Sequence, residues 1–136
     1  MSLDDYVGKR YKLEKSEKFD DYMKALGVGL VTRKVGNAVS PVVELKKDGD
    51  QYLLSSNSTF KNVLLKFKPG EEFDQETADG RKVKSTITVD GSTLHEIQKD
   101  ANGKETTIER IFTDDEIKMI CKVDDIVSTR IYKLQE

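Results

Sequence analysis

Two short stretches near the end of the chain carry the residues best suited to grip an anion. In Thr106 to Phe112, alternation puts Thr106, Ile108, Arg110 and Phe112 on one side of a strand. In Ile126 to Leu134 it puts Ile126, Ser128, Arg130, Tyr132 and Leu134 on one side. If the apolar members mark the inside, each strand sends one Arg inward. The second strand then adds a Tyr hydroxyl on the same face as its Arg. A guanidinium offers planar, bidentate donors to a carboxylate, and a phenol can supply a third hydrogen bond. Two buried guanidinium groups with no acidic neighbour would repel, so the counter-charge is expected to arrive with a ligand. The reverse facing is equally open to the pattern. Glu109 and Ile111 would then point inward with Val127, Thr129, Ile131 and Lys133, and Arg110 would be a surface residue. Alternation alone does not decide between them.

The remaining chemistry-bearing residues point away from catalysis. His95 is the only histidine, so no His-based metal cluster and no Ser-His or Cys-His arrangement stands out. Cys121 alternates with Ile117 and Met119, as a small buried hydrophobe would. The acid pairs Asp20-Asp21, Asp114-Asp115 and Asp124-Asp125 sit at expected helix or turn positions, where acids are favoured for local reasons. Gly27-Val28-Gly29 is not followed by a phosphate-loop pattern. No enzyme, metal or cofactor is expected.

Such residues need a frame. Phe19, Tyr22, Met23 and Leu26 recur at i, i+3, i+4 and i+7, the apolar face of a short helix. Ser16 is placed to cap its start, and Gly27 to end it. Val28, Val31 and Val35, with Leu30 beside them, suggest a second short helix reaching Gly36-Asn37. Together these make a two-helix lid over about residues 17–38. Lys24, Arg33 and Lys34 would lie on it, as a solvated face or as a patch attracted to anionic membranes. From Pro41 onward the apolar period is two, as in Val63, Leu65 and Phe67 or Val83, Ser85, Ile87 and Val89. Turn signals such as Asp48-Gly49, Pro69-Gly70, Asp79-Gly80, Asp90-Gly91 and Asn102-Gly103 lie mostly about ten residues apart, as hairpins require. With one strand at about Tyr11 to Lys15 before the helices, the count is about ten. A mainly β chain results: an up-and-down antiparallel β-clam or barrel under a helical lid.

At 136 residues there is room for a single domain, 1–136. The 23 Lys and Arg stand against 25 Asp and Glu, interspersed, without the basic excess of a nucleic-acid module. Neither a secretory signal nor a bilayer-spanning run is visible, and a lone cysteine fits a reducing compartment. A cytoplasmic location is expected.

At this point the chain resembles the cytosolic fatty-acid-binding protein family over nearly its whole length. Phe19 to Gly29 is similar to that family's first-helix signature, and Ser58-Thr59-Phe60-Lys61-Asn62 to the stretch near its ligand portal. Gly70 to Asp74, Thr77 to Ser85 and Thr129 to Lys133 resemble its middle strands and C-terminal motif. The resemblance implies a ten-stranded clam that reversibly encloses one long-chain fatty acid in an internal cavity. It places the carboxylate on Arg110, Arg130 and Tyr132, which implies the inward facing. Phe60 and Val28 are carried over as portal residues, and Pro41, Ala78, Asp79 and Arg81 as positions near the cavity; Tyr22, Met23 and Met119 are expected to line it. A retinoic acid or bile acid carrier is the alternative. A monomer, transient membrane contact and possible nuclear access are further expectations. The family's usual Trp near the start is replaced by Tyr11, and Lys18 stands where Asn is common. The Tyr-Lys-Leu start resembles invertebrate members.

Overall fold

A computed structural model describes residues 2–77 and 79–135. Ala78 lies outside the described residues. Ten strands form one antiparallel sheet that curls into a nearly closed barrel. They are β1 (Arg10–Glu17), β2 (Val42–Asp48), β3 (Gln51–Asn57), β4 (Asn62–Phe67), β5 (Glu72–Glu76), β6 (Lys82–Asp90), β7 (Thr93–Lys99), β8 (Glu105–Phe112), β9 (Glu116–Val123) and β10 (Ile126–Leu134). Their order is β4-β3-β2-β1-β10-β9-β8-β7-β6-β5, so the meander is broken only where β1 joins the last strand to the second. No ladder joins β4 to β5 in that order.

The Asp-Gly turns do what their chemistry allows. Gly49 and Gly91 adopt φ values of 62° and 61° at the β2–β3 and β6–β7 turns, a region that L side chains enter at a cost.

Two helices stand between β1 and β2: α1 (Phe19–Ala25) and α2 (Leu30–Ala38). Ser16 does not cap α1. It lies in β1, opposite Arg130, and the residue before the helix is Lys18 in a left-handed conformation. Extension of the strand over Ser16 satisfies its backbone through the β10 ladder, which removes the need for a cap there. Gly27 ends α1 as expected, with φ 83°. Of the apolar positions expected of the second helix only Val28, in the turn before it, is buried; no residue of α2 is, and Val31 is 77% exposed. α2 instead rides on α1. Arg33 bonds Asp20 at 3.2 Å and the Val28 carbonyl at 2.7 Å, and Asn37 bonds Asp20 at 3.1 Å. Gly36 permits the close approach, since a Cβ there would stand 3.1 Å from the Met23 sulfur.

Packing divides into two clusters. One is built from Leu3, Tyr6, Tyr11, Leu45, Leu94, Phe112 and Ile117, among others. In it the Tyr11 hydroxyl bonds the Thr113 carbonyl, and its ring meets Phe112 edge-on. The second joins Tyr22 and Met23 of α1 to Ile108, Cys121 and Val123. Because Ile117 and Val123 stand at opposite ends of β9, the clusters close opposite ends of the barrel. Between them lies a cavity.

Candidate functional site

The register of the last three strands builds the site. Met119 on β9 stands opposite Arg110 on β8 and opposite Arg130 on β10. The two arginines therefore share one inward row, about 10 Å apart at the backbone, twice the strand spacing. Tyr132 is two residues along from Arg130 on the same face. All three side chains line an internal cavity of about 230 Å³. The inward facing is the one adopted.

The two guanidinium groups differ in their surroundings. Arg110 is not without an acid: its Nη1 donates to Glu96 Oε1 at 2.7 Å. Glu96 comes from β7, one diagonal step from Arg110, and is 1% exposed. Its other oxygen accepts from the Gln75 amide at 2.9 Å and the Gln98 amide at 2.8 Å, and Gln75 also donates to Ser85. Burial would push the Glu96 carboxyl up, but the charge of Arg110 and these hydrogen bonds outweigh it and hold it below its ordinary value. Burial likewise opposes the charge on Arg110, and Glu96 reverses the balance.

Arg130 has no such partner among the described residues. It is 6% exposed, and its buried Nε makes no hydrogen bond. The Phe19 ring covers its flat face, with the guanidinium carbon 3.8 Å from the ring centroid, and Tyr132 stands 5.8 Å away on the same measure. Ring faces hold a cation without using its N–H groups. Among the described residues the Tyr132 hydroxyl has only the Met119 sulfur, at 3.7 Å. Burial raises the pKa of this phenol, so it stays protonated and able to donate.

The other expected residues gather around the same space. Tyr22, Met23, Pro41, Phe60, Asp79, Arg81 and Met119 line the cavity. Asp79 and Arg81 pair at 2.6 Å and Thr77 bonds Asp79, a closed local ion pair near α1's end of the barrel. Phe60 is 55% exposed at the β3–β4 turn. Val28 is buried in the helix turn against the α1 cluster and is not among the lining residues. Cys121 is buried, its thiol pushed up to about 11 by desolvation, which leaves it unreactive. No group of three or more metal-ligating side chains occurs among the described residues.

Glu96, Gln75 and Gln98 were not read from the sequence. One signal was present: Leu94, Glu96 and Gln98 share a face in β7, so an acid falls in step with a core leucine. Phe19 was read only as helix core.

The model of the lipocalin / cytosolic fatty-acid binding protein family matches residues 7–135. The chain belongs to this family. The muscle fatty acid-binding protein of Schistocerca gregaria is 48% identical over 134 residues, 96% of this chain and 98% of that protein. The fatty acid-binding protein of Drosophila melanogaster brain tissue is 55% identical, with a TM-score of 0.88 over 94% of this chain and 98% of that one. The Schistosoma mansoni fatty acid binding protein, solved in complex with arachidonic acid, superimposes with a TM-score of 0.93 at 39% identity, over the full length of both chains. The unusual early residue Tyr11 is compatible with this fold because its ring is fully buried in the core.

Proposed function

We propose that this chain is a cytoplasmic carrier, not an enzyme, that takes up one long-chain fatty acid as a monomer and releases it again. The observation that carries the reading is Arg130, a buried cation whose Nε has no hydrogen-bonded acceptor among the described residues, standing beside a protonated phenol at the wall of the cavity. A ligand carboxylate would satisfy both. Arg110, which the family resemblance groups with them, is already engaged by Glu96 and acts at a distance through its field. The relatives named above, one of them complexed with arachidonic acid, support the choice of ligand class.

Affinity then comes from the tail. At roughly 0.8 kcal/mol per buried methylene, a long-chain acid gains about 10 kcal/mol gross, before ordering costs. The head group supplies orientation and class selectivity, since desolvating charges offsets much of their attraction. A nearly closed barrel admits such a chain only by opening. The lid, whose outer helix has no fully buried residue, and the exposed Phe60 turn are the mobile parts this requires. The exposed Lys24 and Lys34 leave room for transient contact with an anionic membrane, while Arg33 is spent within the lid.

Calorimetric titration of delipidated protein with palmitate or oleate tests the reading. Saturable one-to-one uptake is expected, weakened roughly 10- to 100-fold in Arg130→Ala, as the loss of hydrogen bonds to a charged group predicts. No uptake by folded, empty wild type would overturn it and turn attention to retinoids or bile acids.

A further inference from the structure

We infer that Glu96 is the residue that sets head-group selectivity: it acts as a resident carboxylate on Arg110, leaving the cavity one free guanidinium and room for one negative charge. This rests on the carrier reading above.

Every group that touches the Glu96 carboxylate is a donor. Arg110 bonds one oxygen, and the amides of Gln75 and Gln98 bond the other. A protonated Glu96 would turn one of its oxygens into a donor facing other donors, so the constellation is built for the ionised form. Gln98 gives evidence of how firmly it is built. With its amide nitrogen committed to Glu96, its buried Oε1 is left with no partner among the described residues.

The charges can then be counted. Arg110 and Glu96 cancel, and so do Arg81 and Asp79. The neighbouring Tyr22, Cys121 and Tyr132 all have raised pKa values and stay neutral. Arg130 remains. A monocarboxylate balances it, whereas a doubly charged head group leaves one negative charge unpaired in a desolvated site, which is costly. Removing the charge of Glu96 frees Arg110, and a second cation then faces the same cavity across Met119.

The test compares tetradecanoate with tetradecyl phosphate by competition for a fluorescent fatty acid at pH 8.5, where the phosphate carries about two charges. Wild type is expected to favour the carboxylate. In Glu96→Gln that preference should fall by roughly tenfold or reverse, the change equivalent to one well-placed charge contact. In the double variant Glu96→Gln/Arg110→Gln the neutral pair is replaced by a neutral pair. Its preference should return to within about threefold of wild type. An unchanged preference in Glu96→Gln with uptake intact overturns the inference alone. So does a double variant that loses tetradecanoate as severely as Arg130→Ala, because the carboxylate would then sit on Arg110. If Glu96→Gln does not fold, the double variant decides by these outcomes. Wild type that takes up neither ligand overturns the carrier reading, and this inference with it.

Discussion

The interior of the barrel holds two polar regions of opposite character. On β5 to β8, Glu96 gathers Arg110, Gln75 and Gln98 into a network in which the charges are paired. On β10 and α1, Arg130 lies between aromatic rings with its Nε unbonded, and Tyr132 has only a sulfur neighbour. The first region is finished in its charges, with the Gln98 Oε1 its one open acceptor among the described residues, and supports the fold as well as the site. The second is unfinished, and an unfinished buried charge is where a ligand can gain most. Two arginines on one inward row thus play different parts, and their surroundings, not their type, assign them.

That contrast is most sharply tested by stability. Arg110→Leu leaves Glu96 buried without its cation and should cost about 3–5 kcal/mol at pH 7, measured by urea unfolding. Arg130→Leu removes a buried charge that has no acidic partner, and offsets the lost ring contact with new apolar packing. It should therefore stay within about 1 kcal/mol of wild type while losing fatty-acid affinity. Equal destabilisation by both changes would erase the distinction between the two regions.

Acid separates them next. The folded Glu96 carboxyl lies below its unfolded value near 4.5. Its contribution to stability is therefore complete above that value and is lost as pH falls through the depressed folded value. Ligand-free wild type should weaken along this window more steeply than Glu96→Gln/Arg110→Gln. In Arg110→Leu the sign reverses, since a lone buried carboxyl is raised and its penalty fades as it protonates. The deficit of that variant should shrink as pH drops toward about 4. Parallel unfolding curves for all three proteins would remove Glu96 from the list of acid-sensitive groups.

The sequence made most of this frame legible because strands report themselves locally. Period two and Asp-Gly turns mark β2, β3, β6 and β7 without knowledge of their partners, and the i, i+3, i+4 pattern of Phe19 to Leu26 marks α1. What stayed hidden depended on pairing between strands. Glu96 and Arg110 are fourteen residues apart and meet only through the β7–β8 register. An Arg judged by its own strand therefore looked unaccompanied. Ser16 failed as a cap for a related reason: the β10 ladder, invisible locally, carried β1 past it to Glu17. The facing of Arg110 and Arg130 was undecided by alternation because both faces of each strand carry apolar residues. Family resemblance pointed inward, and the cavity lining agrees.

The smallest expected effect concerns the hydroxyl of Tyr132. Its only partner among the described residues is the Met119 sulfur at 3.7 Å, and a thioether is a weak acceptor, so Tyr132→Phe should leave urea stability within about 0.5 kcal/mol of wild type. If the phenol serves the ligand instead, the same variant should lose about 1 kcal/mol of fatty-acid affinity, roughly fivefold, by calorimetry. The loss should shrink for a methyl ester, whose carbonyl still accepts from the hydroxyl but carries no charge. A variant that loses stability but not affinity would make Tyr132 part of the finished region, and Arg130 alone the site.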